Sequence, residues 1–318
     1  MKRTVLAAVL FGSSLLAQAA YPDKPITLVV PYPPGGATDT LARVLAGPLS
    51  KRLGQTVVVE NKAGAGTAIG ATAVARSVPD GYTLLISSNT TFTVNAALKL
   101  SLPYDPQKDF ESIGIIGSSP LVLLAHPKLA AQSVKEVVAL SLRDPKGLDF
   151  GSFGVGTTAH LAGEMFKVMT GANMTHVAYK GSAPAMTDLM GGQIPLTFDT
   201  SVAALPQMAA GKVKAIAVTT LKRSAQMPQV PTVAEAGFPD YEMVPWIALV
   251  ARRGMPPEVS GKLVKALKDA VSDPVTQTEL QQKGLDVAYE PGAMYDTRVA
   301  RELPLLRAYV HRAHIPVQ

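Results

Sequence analysis

Three side chains in this sequence have acid–base chemistry and stand beside loops rich in Gly and hydroxyls. They are Asp39 after Gly35-Gly36, His160 after Gly154-Val155-Gly156-Thr157-Thr158, and Asp199 before Thr200. A hydrolase or lyase built on them needs a nucleophile or base within hydrogen-bond reach of a partner. The spacing supplies no such pair: no Ser sits in a G-x-S-x-G elbow, and H-E-x-x-H does not occur. The chain has 0 Cys, which removes thiol nucleophiles, thiolate metal sites and disulfides. His160 is therefore read as fixing loop geometry rather than as a base. Asp39 has two readings: a helix-start carboxylate favoured by the dipole, or a group that orders the Gly35-Gly36 loop or holds a water bridging to a ligand. Lys180 either faces a ligand charge or is solvated. Gly64 to Gly70 spells G-x-G-x-x-x-G, not the G-x-G-x-x-G of a dinucleotide site, and follows the second strand of its unit instead of the first. Its small residues are read as letting helix, sheet and ligand approach closely. No cofactor and no metal is expected, and the chemistry that remains is binding.

The elements that must position these residues can be read from punctuation. Pro25 and Pro31 bracket the apolar run Ile26 to Val30, a buried parallel strand. A loop follows to Gly36. Thr38 or Asp39 then caps a helix with apolar positions Leu41, Val44, Leu45 and Leu49. Thr56 to Val59 and Tyr82 to Ile86 repeat the strand, separated by a Gly-rich turn and a small-residue helix to about Ala75. After residue 124 the plan restarts, with strands at Leu148 to Phe150, Thr175 to Tyr179 and Ile194 to Phe198. Thr157 or Thr158 caps a helix there, and a further helix runs through Met190. "VVPYPPGGATD" thus pairs with "FGSFGVGTTAH", "VENKAGAGTAIG" with "AYKGSAPAMTD", and "LISSNTT" with "LTFDTSV". This predicts an α/β protein of two like lobes, each a mostly parallel sheet flanked by helices. Ile113 to Ala125 and Tyr241 to Ala251 are expected to be the joining strands. The tail should hold helices over 256–272 and 292–310, with a strand near Val287, returning to the first lobe. The expected division is 20–120 with 248–318 for lobe 1 and 121–247 for lobe 2. Trp246, the single Trp, falls in the second crossing, either beside the cleft at the hinge or in plain core packing.

Ligands of open α/β sheets bind beyond the carboxyl ends of the strands. There Gly admits close backbone approach and helix N-termini present N–H groups with partial positive charge. Several such termini facing one another make an anion clamp without Lys or Arg. The net charge of +6 mildly favours anionic ligands, and its basic residues are scattered without interleaved aromatics, which argues against nucleic acid. At the N-terminus, Lys2-Arg3, the apolar run Thr4 to Leu16 and Ala17-Gln18-Ala19 form a secretory signal peptide over 1–19, too short to span a bilayer at ~20 residues. A periplasmic location is expected.

The segments "YPDKPITLVVPYPPGGATDTLAR", "VVVENKAGAGTAIGA", "SFGVGTTAHLAGEMF", "HVAYKGSAPAMTDLMGGQIPLTFD", "AGKVKAIAVTT" and "VPTVAEAGFPDYE" resemble the Bug family of periplasmic solute receptors, which serve tripartite tricarboxylate transporters. The resemblance runs over nearly all of the chain after the signal peptide. It implies a two-lobed Venus-flytrap fold that binds dicarboxylates, acidic amino acids or aromatic acids. Contacts would come largely from backbone amides, hydroxyls and ordered waters. Motif by motif, the implied ligand-binding residues are Tyr32, Pro33, Gly35, Gly36, Thr38 and Asp39, then Gly66 and Thr67, then Asn89 and Thr90. In the second lobe they are Ser152, Gly154, Gly156, Thr157, Thr158 and His160, then Tyr179, Lys180, Gly181, Ser182 and Ala183, then Asp199 and Thr200. The implied partners are the large and small membrane subunits of such a transporter, and the receptor is expected to be a monomer. A ligand-sensing adaptor for a membrane sensor kinase is the alternative reading, and a periplasmic hydrolase or lyase a third. Tyr32 stands where the family pattern has Phe, and Thr67-Ala68 where it has Gly-Asn, so no ligand identity is carried over.

Overall fold

The computed structural model describes residues 21–98, 101–312 and 315; the expected signal peptide lies outside them. In chain order the elements of the first unit are β1 (Ile26–Val30), α1 (Ala37–Leu53), β2 (Val57–Asn61), α2 (Ala68–Ala75), β3 (Thr83–Ser88), α3 (Asn95–Leu98) and β4 (Phe110–Ser118). The second unit runs β5 (Leu121–Ala125), α4 (Val134–Arg143), β6 (Leu148–Ser152), α5 (Thr158–Thr170), β7 (Met174–Ala178), α6 (Ser182–Met190), β8 (Leu196–Thr200), α7 (Ser201–Ala209) and β9 (Lys214–Val218). The return comprises β10 (Trp246–Arg252), α8 (Pro257–Val271), α9 (Pro274–Gln282), β11 (Asp286–Pro291) and α10 (Ala293–Arg312).

Two sheets result, β11-β4-β10-β3-β1-β2 and β7-β6-β8-β5-β9. Central strand β1 pairs in parallel with β2 and β3, and β6 in parallel with β7 and β8. This is the repeat legible in the paired motifs. Ile26, Leu28, Val29 and Val30 are all fully buried, as a strand covered on both faces requires. The sheets are mixed rather than mostly parallel. The joining chain itself supplies antiparallel strands: β10 beside β3 and β4, and β5 beside β8 and β9.

The expected crossing strands are also corrected in detail. The chain leaves the first sheet at Ser118 and enters the second at Leu121, because Pro120 has no N–H to continue a ladder. On the return only Trp246 onward is strand. Residues 241–245 cross without one, held by Met243 N–H to the Thr219 carbonyl (3.0 Å) and by Ser119 N–H to the Pro245 carbonyl (3.0 Å). That last bond ties the two crossings side by side.

The tail packs on the first sheet, where β11 pairs with β4 and α8 lies against α1. Helix α10 goes further than expected. Tyr295 and Val299 belong to the core around Trp246, whereas Leu303 and Val310 belong to the core of the second unit, and Tyr309 Oη donates to the Met165 carbonyl (3.3 Å). Trp246 is both at the crossing and in the core. It stacks on Phe92 at 5.7 Å, and its indole N–H is shared by the two Glu302 carboxylate oxygens at 2.8 and 2.9 Å. Among the described residues no helix is long and apolar enough to cross a membrane.

Candidate functional site

The loop after β1 is built by Asp39. Helix α1 begins at Ala37 with Gly36 as its N-cap, and no side chain caps it, so the expected capping by Thr38 or Asp39 does not occur. The Asp39 carboxylate turns back instead. It accepts from Gly35 N–H (2.9 Å), Arg43 Nε (3.0 Å) and Asn61 Nδ2 (2.8 Å), while the same Asn61 amide donates to the Tyr32 carbonyl (3.0 Å). Burial pushes the Asp39 carboxyl up. The hydrogen bonds from Arg43, Gly35 and Asn61 outweigh it and hold the group below the usual carboxylate range. Of the two readings of Asp39, the geometry selects the loop-ordering one. Asp39→Ala removes three donors' partner at once. We expect a loss of about 1–3 kcal/mol in urea unfolding.

In the second unit, Gly181 caps α6 at φ +120°, and Ser182 Oγ donates to Asp199 Oδ2 at 2.6 Å. Thr200 N–H donates to Asp199 Oδ1 at 2.7 Å. Asp199 is fully buried, and among the described residues no basic side chain forms an ion pair with it. Burial pushes its carboxyl up to about 6, against the lowering effect of the Ser182 and Thr200 hydrogen bonds.

The Gly-rich loop between β6 and α5 is held by its own side chains. Ser152 Oγ lies 2.7 Å from His176 Nε2 and accepts from Gly154 N–H at 3.1 Å. Thr157 Oγ1 donates to the Gly154 carbonyl at 2.6 Å and, as the N-cap of α5, accepts from His160 N–H at 3.4 Å. Gly156 N–H points at His160 Nδ1 (3.3 Å), so a neutral His160 carries its proton on Nε2. The His160 and His176 rings stack at 4.2 Å. His160 thus fixes the loop.

The units meet across a cleft. Thr90 Oγ1 and Thr158 Oγ1 lie 2.6 Å apart, Thr158 N–H donates to Thr90 Oγ1 (3.1 Å), and Thr158 Oγ1 donates to Asn89 Oδ1 (3.2 Å). Residues of both units also line a cavity of about 40 Å³. Of the residues expected from sequence, Tyr32, Pro33, Gly36, Thr38, Gly181, Ser182, Asp199 and Thr200 line it. Ala37, Ser88, Ser119, Phe153, Pro245 and Ile247 complete it. Ser88 and Phe153 lie within motifs already singled out. Ser119, Pro245 and Ile247 lie in the two expected crossings, and the side-by-side pairing of those crossings, which no local pattern announces, brings them to the cavity.

The other expected residues stand back from this lining. Gly35 and Asp39 shape the loop from behind. Thr67 is bonded inside its own unit, accepting from Thr91 Oγ1 (2.8 Å) and Asn95 Nδ2 (3.0 Å), while Asn95 also donates to the Gly66 carbonyl. Asn89, Thr90 and Thr158 make the contact between units, and Ser152, Gly154, Gly156, Thr157 and His160 the loop network. Tyr179 Oη donates to Asp188 (2.7 Å), and Lys180 and Ala183 are exposed.

The cavity therefore collects the N-termini of α1, α6 and α7 through Gly36, Gly181 and Thr200, none with a side-chain cap. No Lys or Arg lines it. The starts of α1 and α6 offer N–H donors and partial positive charge to an anionic group, whereas at α7 Thr200 N–H is taken by Asp199 and Ser201 N–H by the Pro120 carbonyl. Among the described residues no three or more His, Asp or Glu are grouped to hold a metal ion.

Comparison with known proteins identifies the family. The family described as "Tripartite tricarboxylate transporter family receptor" matches residues 41–304. The protein BugT of Bordetella pertussis is 40% identical over 252 residues, covering 79% of this chain and 77% of its own. A Rhodopseudomonas palustris protein solved with adipate superposes with a TM-score of 0.89 at 34% identity, over 92% of this chain and 98% of that one. MatC from Rhodopseudomonas palustris with bound malate gives a TM-score of 0.86 at 31% identity, over 91% and 100%. The family is one of receptors and not of enzymes. With a family match over most of its length and a two-lobed α/β fold to go with it, the chain belongs to the Bug-type receptors of tripartite tricarboxylate transporters, a family of periplasmic solute-binding receptors.

Proposed function

We propose that this receptor captures a small carboxylate between its lobes and delivers it, closed, to the membrane subunits of a tripartite tricarboxylate transporter after export on a cleaved signal peptide over 1–19. One observation carries the reading. Uncapped N-termini of α1 from one lobe and of α6 from the other line one cavity that has no basic side chain. Amide dipoles from both sides can solvate a carboxylate only when the lobes are together, so ligand favours the closed state by its differential contacts. The adipate and malate seen in the two related structures support the ligand class. The lobes are residues 20–120 with 248–318, and 121–247. The ligand-facing residues are the expected ones that line the cavity, with Asp39, His160, Thr90 and Thr158 holding their loops.

The test is a thermal melt of the protein lacking residues 1–19 against dicarboxylates, tricarboxylates, acidic amino acids and aromatic acids. Ligand at 100 times its Kd adds ~2.7 kcal/mol. In a chain of this size that raises the Tm by about 4 °C. If no acid shifts the melt and no acid is released from the denatured protein, the carboxylate reading is wrong.

A further inference from the structure

The hydroxyl of Ser182 has one proton to give, and the structure shows where it goes. Ser182 Oγ donates to Asp199 Oδ2 at 2.6 Å. An ionised carboxylate only accepts, so this proton cannot be returned toward the cavity. Thr200 is committed the same way: its N–H reaches Asp199 Oδ1 at 2.7 Å and its Oγ1 approaches the same oxygen at 3.4 Å. Asp199 is fully buried without an ion-pair partner among the described residues, and it lines the cavity together with Ser182 and Thr200. The two hydroxyls are thus turned inward, and what they present to a ligand is lone pairs. The amides at the starts of α1 and α6 still present donors.

The cavity is therefore bipolar over a short distance. A bare carboxylate satisfies the amides but sets an oxygen against the Ser182 oxygen, acceptor against acceptor. A carboxylate with a hydroxyl or ammonium on the adjacent carbon satisfies both. We propose that Asp199 is a positioning residue that fixes Ser182 as a hydrogen-bond acceptor and so makes this receptor select α-hydroxy or α-amino carboxylates over unsubstituted diacids. The inference rests on the carboxylate reading above and deepens it. Asp199 lies in ordinary solution conditions on the ionised side, since its carboxyl is pushed up only to about 6.

The experiment is isothermal titration at pH 8 of the protein lacking residues 1–19 with two matched sets. One is succinate, malate and aspartate; the other is glutarate, 2-hydroxyglutarate and glutamate, with both enantiomers of each chiral acid. In the unaltered receptor the best donor-bearing member should bind at least tenfold tighter than its parent diacid. In Asp199→Asn the new amide donates to Ser182 Oγ and frees the hydroxyl proton, so the parent diacid gains and the ratio collapses or inverts. Ser182→Ala should level the ratio as well, and it keeps the question answerable if Asp199→Asn does not fold. A merely structural role for Asp199 would weaken all members alike and leave the ratio unchanged, which overturns the inference. So does a parent diacid that binds the unaltered receptor as tightly as its substituted relatives. Failure of every acid in both sets, while another acid shifts the melt or is released on denaturation, overturns the inference alone; failure of the whole melt panel with no acid released overturns the carboxylate reading, and this inference falls with it. Binding without donor preference overturns the inference alone.

Discussion

Gly181→Val should weaken ligand binding by more than 100-fold while far-ultraviolet circular dichroism stays that of the parent. Gly181 sits at φ +120°, a conformation side chains rarely adopt, and a Cβ there would lie 3.0 Å from Pro33 Cγ on the opposite lobe. The substitution therefore acts at the closing edge of the cavity, twice over. It strains the turn that aims the α6 N-terminus, and it wedges the lobes apart where ligand would draw them together. Gly35 makes the useful comparison. It too has positive φ, +89°, but nothing lies within 4 Å of a Cβ built on it. Bulk is therefore not what Gly35 excludes. The cost comes from the backbone, about 1–2 kcal/mol for a side chain in the left-handed region, and from the Gly35 N–H bond to Asp39 that a relaxed backbone would lose. Gly35→Ala and Gly35→Val should then weaken binding to a similar extent. At Gly181 the larger side chain should be distinctly worse than Ala. Titration calorimetry on the four variants decides this. Equal, near-native affinity in Gly181→Val would mean that the lobes do not close around ligand at this edge.

Much of this arrangement is visible in the sequence because the chain marks it with residues whose backbone behaviour is narrow. Pro25 and Pro31 bound β1, Gly54 ends α1 at φ 72°, and Thr157 caps α5. The paired motifs anticipate the like trios β2-β1-β3 and β7-β6-β8. Elements without such marks are not legible. β9 reads Lys-Ala-Ile-Ala-Val and α7 contains Pro206, so neither pattern announces its element. The start of α1 misleads for a physical reason. A helix-start Asp ordinarily serves the helix, but here Arg43 and Asn61 hold its carboxylate against the preceding loop, and they are four and twenty-two residues away. The cavity wall from Ser119, Pro245 and Ile247 depends on two distant crossings lying side by side. That is a property of topology, which spacing does not encode.

Acid should expose the stacked His160–His176 pair as the weak point of the second lobe. Burial is the main cause holding both rings neutral; His160 and Lys167 add to it at His176, which is lowered to about 3. In the unfolded chain a His titrates near 6.5. Below that pH the unfolded state takes up protons that the folded state refuses, so stability falls progressively from about pH 6.5 toward 3 and is unaffected above. For His176 alone this is about 3 kcal/mol at pH 4, less a discount for its partly exposed ring. Asp199 works in the opposite sense. Its carboxyl, at about 6 in the fold against an ordinary 3.8, makes the folded state the better proton acceptor between those values, so it contributes stability as pH falls through that window. A melting curve of the unaltered protein would show only the sum of such opposed contributions. The variants separate the two. His176→Gln can still hydrogen-bond Ser152 and should lose less Tm than the parent between pH 7 and 4, by several degrees. Asp199→Asn should melt higher than the parent at pH 7.5 and lose that advantage by pH 4. If His176→Gln tracks the parent across the whole range, the pair titrates normally and the loop it braces is open to water. The cost of keeping Asp199 charged and buried at neutral pH would then stand as the larger constraint on this cleft, tolerated because an ionised carboxylate is what commits Ser182 to accept.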